Sequence, residues 1–174
     1  MFSDPKKNIE AFSLIQGMTI ADFGAGSGAY CEPLSIAVGE KGKVYAVDIQ
    51  KDLLSKIKND ANKNHLLNIE VIWGDIEKIG GTKLRDNCVD GVVASNILFQ
   101  LQDKESFKKE VNRILKPNGK LFVIDWSDSF GGLGPQPASI FAGPSCKNLF
   151  RDSFVVEKEF NAGAHHYGII FKKQ

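Results

Sequence analysis

A cluster of glycines follows an acidic residue at the end of a short apolar run. Asp22 stands before Gly24, Gly26 and Gly28. Glycines in such a loop let the backbone turn sharply and let a ligand approach main-chain atoms that a Cβ would block. About twenty residues further on, where dinucleotide sites carry an acid, Asp48 ends the next apolar run and can accept hydrogen bonds from both hydroxyls of a ribose. The pattern predicts a site for an adenosine-containing cofactor.

Two cofactor classes compete for this loop, because Gly24-x-Gly26-x-x-Ala29 also satisfies the looser dinucleotide pattern. Asp22 favours S-adenosylmethionine, since a carboxylate before the glycines disfavours a nearby pyrophosphate but can hold the amino group of a methionine moiety, directly or through water. None of the three tyrosines is followed four residues later by the lysine that short-chain dehydrogenases use. An NAD(P)-dependent oxidoreductase is kept as the less favoured alternative.

The elements that must position these residues alternate between short apolar runs and helix-length segments, which indicates an α/β fold with a parallel sheet covered on both faces. Strands are predicted over residues 18–23, 43–47, 69–73, 89–94 and 120–126, and helices over 29–38, 50–62 and 103–115. Two further β-rich runs, 154–160 and 166–171, predict an antiparallel hairpin around the loop 161–164.

Length and composition predict one domain over residues 1–174, since 43% of the residues are hydrophobic and 25% charged. Within it, residues 1–17 form a predicted N-terminal helical segment, with Ser3 or Asp4 as N-cap and Pro5 in the first turn. The Gly/Pro-rich segment 127–146 is predicted to be a substrate or lid loop that leads into a short helix.

Charge and targeting signals narrow the expected partners. The formal net charge is +1 and no basic stripe is present, which disfavours nucleic acid. No apolar leader or membrane-length run is found, so a cytoplasmic protein without membrane association is expected. Cys31, Cys88 and Cys146 are scattered, and we expect neither a disulfide framework nor a metal site.

Several motifs in order resemble those of class I S-adenosylmethionine-dependent methyltransferases. Residues 20–28 resemble motif I, 44–48 the second strand with its ribose-binding acid, and 74–76 the adenine-binding acidic motif. Residues 90–98 resemble strand four and 115–121 the turn before strand five. The resemblance is closest to the ubiquinone/menaquinone-biosynthesis (UbiE-like) group and covers nearly the whole chain. It implies a three-layer, doubly wound Rossmann-like sheet of seven strands, in the order 3-2-1-4-5-7-6, with an antiparallel C-terminal hairpin.

The resemblance also implies a role for each motif. Asp48 would bind the ribose hydroxyls and Asp75 the adenine amino group, with Ile49 and Ile76 flanking the ring. A helix N-cap remains the alternative role for Asp48, and a turn residue that for Asp75. The implied cofactor-binding set is Asp22, Phe23, Gly24, Ala25, Gly26, Gly28, Tyr30, Asp48, Ile49, Gly74, Asp75, Ile76, Ser95, Asn96 and Ile97.

Methyl transfer needs mainly in-line alignment, so proximity supplies most of the catalysis. A base is required only if the acceptor must lose a proton. The candidates are Asp128, His165 and, as the favoured pair, Asp125 and His166. Successive strand residues face opposite sides, so only one of the two histidines is expected to reach the site.

The sequence thus predicts a methyltransferase that uses S-adenosylmethionine, releases S-adenosylhomocysteine and needs no metal. Its acceptor is an unidentified small molecule or protein-linked group. A non-catalytic S-adenosylmethionine-binding module or subunit is the alternative. Since only a short segment precedes the first predicted strand, an open cleft is expected, which a protein partner or a homo-oligomer would complete.

Overall fold

A seven-stranded sheet forms the centre of the protein, which the computed structural model describes over residues 3–174. In chain order the strands are β1 (Thr19–Phe23), β2 (Lys43–Asp48), β3 (Ile69–Trp73), β4 (Val89–Ser95), β5 (Leu115–Trp126), β6 (Phe154–Gly163) and β7 (His166–Lys173). The order in the sheet is β3-β2-β1-β4-β5-β7-β6, with β1 to β5 parallel and β7 antiparallel to both of its neighbours. The predicted Rossmann-like fold and its C-terminal hairpin are confirmed.

Helices cover both faces of this sheet. They are α1 (Pro5–Phe12), α2 (Cys31–Val38), α3 (Lys51–Lys63), α4 (Lys104–Ile114) and α5 (Gly143–Phe150), with a 3₁₀ turn at Pro137–Ser139. On one face, Phe12 of α1 and Leu34 of α2 pack on Phe122 of β5. On the other, Phe107 of α4 and Phe150 of α5 complete a second apolar cluster. Burial of these side chains supplies the main driving force for folding.

Three predicted boundaries are corrected by the structure. Strand β5 begins at Leu115 rather than at residue 120, because Leu115 is already extended and pairs with Val89. Helix α5 begins at Gly143, with Pro144 in its first turn, so the Gly/Pro-rich loop ends before the predicted residue 146. Strand β6 continues to Gly163 through a register shift, which shortens the hairpin loop.

The N-terminal helix is fixed at its start and along its buried side. The carboxylate of Asp4 accepts a hydrogen bond from the backbone N–H of Lys6 at 3.0 Å and so caps α1. The ring of Phe12 lies 4.3 Å from that of Phe122, in a stacked arrangement. Residues 1 and 2 of the predicted segment lie outside the described residues. Over residues 3–174, no helix is long and apolar enough to cross a membrane.

Candidate cofactor site

The loop between β1 and α2 needs its glycines for conformation and for space. Gly24, Gly26 and Gly28 have φ values of +65°, +53° and +84°, a region that disfavours side chains. A Cβ on Gly24 would lie 2.7 Å from Cδ1 of Ile97, and one on Gly28 would lie 2.8 Å from Cγ1 of Ile57. At Gly26 the nearest atom is 3.8 Å away. The backbone of Gly26 is therefore open to a ligand.

Two adjoining cavities lie along the carboxyl ends of the parallel strands. The first, here the glycine-loop cavity, has a volume of about 390 Å³ and is lined by Ser3, Pro5, Asp22, Gly24, Ala25, Gly26, Ser27, Ala29, Tyr30, Asp48, Gln50, Ser95, Asn96, Ile97 and Gln100. The second, here the Asp75 cavity, has a volume of about 200 Å³ and is lined by Gly24, Asp48, Ile49, Gln50, Gly74, Asp75, Ile76, Glu77, Ile97, Gln100 and Leu101. Because they share five residues, Asp48 among them, the two cavities form one cleft.

Asp48 joins the glycine loop to the start of α3. Its Oδ2 accepts a hydrogen bond from the N–H of Gly26 at 2.9 Å, and its Oδ1 accepts one from the N–H of Gln50 at 2.8 Å. The N-cap position of α3 is occupied by Gln50, so the alternative role of Asp48 as the N-cap residue is not adopted. A carboxylate offers about four lone-pair sites, so acceptor capacity remains for a ligand in either cavity.

Asp75 stabilises a turn and also lines a cavity. Its Oδ1 accepts a hydrogen bond from the N–H of Glu77 at 2.9 Å, and its Oδ2 lies 3.2 Å from Nζ of Lys78. It lines the Asp75 cavity with two apolar neighbours, Ile76, which is buried, and Ile49, which is 63% exposed. A carboxylate between two aliphatic side chains suits a flat ring that carries a hydrogen-bond donor.

Asp22 lies in a different environment at the glycine-loop end. It is buried, and the thiol of Cys31 donates to its Oδ2 at 3.6 Å. Burial raises the pKa of Asp22 to about 7; the nearby Asp48 carboxylate acts in the same direction, and the Cys31 hydrogen bond opposes it. A carboxyl group held near half-ionisation at neutral pH ionises fully when a cation binds beside it.

The turn after β4 forms one wall of the glycine-loop cavity through Ser95, Asn96 and Ile97. Asn96 adopts φ +55°, and its side-chain oxygen is buried without a hydrogen-bond partner in the described part of the chain. A buried acceptor left without a donor costs free energy. Its position in the cavity wall indicates a ligand that supplies an N–H or O–H group.

Most of the other predicted cofactor residues lie at the cleft, namely Ala25, Gly26, Tyr30, Ile49, Gly74 and Ile76. Phe23 and Gly28 are not among the described lining residues. The ring of Phe23 is fully buried and packs edge-on against Phe107 at 6.0 Å between centroids. Its contribution to the cleft is to place the glycines that follow it.

Asp125, one of the two favoured bases, is buried beneath the turn after β4. Its Oδ2 accepts a hydrogen bond from the N–H of Leu98 at 2.9 Å, and its Oδ1 accepts one from the N–H of Trp126 at 2.8 Å. Burial raises the pKa of Asp125 to about 6, with the backbone hydrogen bonds opposing. It is absent from the described lining residues of both cavities, and this geometry supports a positioning role.

His166, the other favoured base, packs against Trp126 with 4.3 Å between ring centroids. Over residues 3–174, neither of its ring nitrogens has a hydrogen-bond partner, and neither described cavity includes it. Burial lowers its pKa, and the neighbouring His165 adds to the effect. His165 itself pairs with Asp128 on the following loop. The catalytic roles of Asp125 and His166 stay predictions.

Several lining residues were missed by sequence reasoning, chiefly Ser3, Gln50 and Gln100. Gln50 follows Asp48 by two residues, and Gln100 belongs to the turn after β4. In open α/β sheets the loops at the carboxyl ends of strands surround the ligand, and this rule was a usable signal for both glutamines. Ser3 had no such signal, because its position depends on how α1 docks.

The fold and the acidic residues around the glycine loop define a class I methyltransferase domain. A family model described as a methyltransferase domain matches residues 14–148, and the chain belongs to this family. The chain superposes over 99% of its length on an S-adenosylmethionine-dependent methyltransferase from Aquifex aeolicus, with a TM-score of 0.90, 32% identity and 91% of that chain covered. A putative type 11 methyltransferase from Sulfolobus solfataricus superposes with a TM-score of 0.78 at 28% identity, covering 100% of this chain and 94% of that one.

Curated relatives include methyltransferases with different acceptors in their names. An arsenite methyltransferase of Aquipseudomonas alcaligenes is 31% identical over 117 residues, which are 65% of this chain and 34% of the relative. The ubiquinone/menaquinone biosynthesis C-methyltransferase UbiE of Escherichia coli is 31% identical over 123 residues, 68% of this chain and 47% of the relative. The chain thus spans between 34% and 47% of the length of these two relatives. The resemblance to the UbiE-like group is confirmed.

Proposed function

We propose that this protein transfers a methyl group from S-adenosylmethionine to an unidentified small-molecule or protein-linked acceptor and releases S-adenosylhomocysteine. The observation that carries the proposal is the placement of Asp22, Asp48 and Asp75 around one cleft, at the carboxyl ends of three neighbouring strands. Membership of the methyltransferase domain family supports it. Domains of this fold serve many different methyl acceptors.

The residues of the cleft fit this cofactor. Asp48 retains acceptor capacity for two ribose hydroxyls, and the Asp75 cavity offers a carboxylate and aliphatic walls for an adenine ring. The open backbone at Gly26 leaves room for close approach. Asp22 suits the ammonium of the methionine moiety, since its ionisation is completed by a neighbouring positive charge. When bound, S-adenosylmethionine supplies an electrophilic methyl group on its sulfonium.

The protein's part in the reaction is alignment. The N–H of Asn96 donates to the carbonyl of Ile124 at 2.8 Å, and Asp125 accepts from the N–H of Leu98. The turn that forms the cavity wall is thus held on both sides. The packing of Ile97 against Gly24 locks this wall to the glycine loop. A rigid wall restricts the approach of an acceptor, and such restriction lowers the entropic part of the barrier.

We also propose that the acceptor side admits a large or protein-bound acceptor, or a partner that completes it. Support comes from the described lining of the glycine-loop cavity, to which the residues before β1 contribute Ser3 and Pro5. These two residues lie at the start of α1, so within residues 3–174 the N-terminal segment covers the cavity only at its edge. Size-exclusion chromatography with light scattering, with and without S-adenosylhomocysteine, measures whether a homo-oligomer forms.

The first experiment is calorimetric titration of S-adenosylhomocysteine into the protein and its Asp48→Ala variant. We expect binding to the parent and about 100-fold weaker binding to the variant, because two charge-assisted hydrogen bonds are lost. Asp60→Ala, on the exposed side of α3, is the matched control and is expected to bind normally. Absence of binding to the parent, or equal binding to Asp48→Ala, contradicts the proposal.

The second experiment separates an enzyme from a binding module. Cofactor carrying a labelled methyl group is incubated with the protein and fractionated lysate. A labelled product that requires the protein supports methyl transfer. Binding of S-adenosylhomocysteine without any labelled product, across small-molecule and macromolecular fractions, favours a non-catalytic module.

A further inference from the structure

The amide of Asn8 bridges two hydroxyl groups at the edge of the glycine-loop cavity. Its Nδ2 lies 2.8 Å from Oγ of Ser3 and 2.9 Å from Oη of Tyr30. An amide NH₂ has two protons, so it donates one to each hydroxyl oxygen. Each hydroxyl then keeps its own proton for a different acceptor. Because Ser3 and Tyr30 both line the cavity, a ligand there is the available acceptor.

The charges around this cavity indicate which group of a ligand the hydroxyls of Ser3 and Tyr30 would bind. Its described lining residues include the acids Asp22 and Asp48 but no lysine, arginine or histidine. A ligand ammonium therefore finds a counter-charge there, whereas a ligand carboxylate finds no cationic side chain among these residues. Gln100 is partly committed, since its Nε2 donates to the carbonyl of Asn96 at 2.7 Å. Ser27, Gln50, Ser95 and Asn96 also carry donor groups in this cavity. Ser3 and Tyr30 differ from them because both hydroxyl oxygens accept from the same amide, which leaves two adjacent O–H groups free to donate.

On the basis of the proposed function, we infer that Ser3 and Tyr30 bind the carboxylate of the methionine moiety through their O–H groups. Asn8 is the positioning residue that directs both protons into the cavity. The amino acid part of the cofactor would then lie between a carboxyl group on β1, which binds its ammonium, and two hydroxyls, which bind its carboxylate. Docking of α1 and recognition of the methionine moiety thereby depend on the same side chain.

Packing holds these groups in place before a ligand arrives. Asn8 is 4% exposed and Tyr30 is 5% exposed. The ring of Tyr30 is stacked with that of Phe12, with 6.4 Å between centroids, and Phe12 is itself packed on Phe122. Donors fixed by the core lose little conformational freedom on binding, which favours affinity.

Two ligands that differ only in the carboxylate test the inference, namely S-adenosylmethionine and decarboxylated S-adenosylmethionine. Calorimetry compares their binding to the full chain and to Tyr30→Phe, which removes one hydroxyl and keeps the ring. We expect about tenfold weaker binding of S-adenosylmethionine, the size of one hydrogen bond to a charged group. Binding of the decarboxylated ligand is expected to change by less than about twofold, because the lost donor has no partner on it.

Asn8→Asp is the second variant and reverses the hydrogen bonds. The new carboxylate accepts the protons of both hydroxyls and adds a negative charge, so S-adenosylmethionine is expected to lose more affinity than in Tyr30→Phe. Asn68→Asp is the matched control at the opposite end of the sheet, where Nδ2 donates to the carbonyls of Ser35 and Gly39. It is expected to lower the melting temperature without discriminating between the two ligands.

The outcomes separate the inference from the function on which it rests. Equal weakening of both ligands by Tyr30→Phe, or no weakening of either, overturns the carboxylate assignment. If Asn8→Asp fails to fold, as judged by circular dichroism, Tyr30→Phe alone decides. Failure of the parent protein to bind either ligand contradicts the proposed function itself.

Discussion

The two ends of the cleft are built in different ways. At the glycine-loop end, main-chain conformation dominates: three glycines with positive φ form the loop, and Asp48 is held by two backbone N–H groups. At the Asp75 end, a buried side chain of helix α4 holds the backbone. Glu110 of α4 accepts hydrogen bonds from the N–H of Gly80 at 2.7 Å and from the N–H of Thr82 at 3.3 Å. The glycine-loop end is therefore shaped mainly by the conformation of adjacent residues, whereas the Asp75 end is held by a residue that is distant in sequence.

The Glu110 network reaches the cleft through tight backbone contacts. The N–H of Asp75 donates to the carbonyl of Gly81 at 3.2 Å, and a Cβ on Gly74 would lie 2.6 Å from the same oxygen. Arg113 donates to both oxygens of Glu110, at 2.9 and 2.7 Å. Although burial opposes ionisation, these bonds hold the pKa of Glu110 below its ordinary value. The loop that carries Asp75 therefore depends on one ionised side chain.

The largest effect is expected from Glu110→Gln. The new NH₂ group would face donors, and Arg113 would lose its buried counter-charge. We expect the free energy of unfolding, from denaturant titration at neutral pH, to fall by about 3 kcal/mol. Because the folded pKa lies below the ordinary 4.5, this stabilisation is present above that pH and is lost as the pH falls through the folded pKa. The difference between parent and variant should therefore shrink on acidification.

A matched control for this comparison lies on the exposed side of the same helix. Glu105 pairs with Lys108 and its side chain is 61% exposed, so Glu105→Gln should change stability by less than about 0.5 kcal/mol. Glu110→Gln should also weaken binding of 5′-deoxy-5′-methylthioadenosine, which lacks the methionine end. If the Glu110→Gln variant is as stable as the parent protein, the Asp75 end of the cleft does not depend on Glu110, and the contrast between the two ends of the cleft is wrong.

This contrast also explains what the sequence predicted well. Glycine spacing, the acid that ends the second apolar run and the alternation of apolar runs with helix-length segments are local signals. The glycine loop, the parallel sheet and the capping of α1 by Ser3 or Asp4 were therefore predictable. Asp48 was predicted from its spacing after the glycines, whereas the role of Asp75 was implied by the family resemblance. Both residues line the Asp75 cavity, since strand ends meet at one edge of a parallel sheet. Where adjacent residues determine the backbone conformation, the conformation can be predicted from the amino-acid types.

Structural features that depend on contacts between residues distant in sequence could not be predicted from the sequence. Helix α4 was predicted from the spacing of its apolar residues, a pattern that does not mark Glu110, yet Glu110 is fully buried. Its partners Gly80 and Thr82 are 30 and 28 residues away in sequence. The extended conformation of Leu115 similarly depends on Val89 in the neighbouring strand. In each case a tertiary contact determines the conformation that local propensity leaves open.

A second prediction concerns the pH dependence of binding at the glycine-loop end. With its pKa raised to about 7, Asp22 is partly protonated at neutral pH. A ligand ammonium favours the ionised form, so binding releases a proton and affinity rises as the pH is raised through this value. Calorimetry with S-adenosylhomocysteine should show an increase approaching about tenfold per pH unit below the pKa. Asp22→Asn should bind with little pH dependence, and a pH-independent parent would contradict the assignment.

The smallest effect is expected at Ile49, on the open side of the Asp75 cavity. Ile49 is 63% exposed, in contrast to Ile76, which is 6% exposed. Since Ile49→Ala removes contact with only one side of a bound ring, S-adenosylhomocysteine should bind about two- to threefold more weakly, and the melting temperature should not change. Ile76→Ala is the comparison, expected to lower stability by about 2 kcal/mol because it creates a cavity. A loss above about tenfold at Ile49 would mean that its side chain encloses the ring, making the Asp75 end closed rather than open.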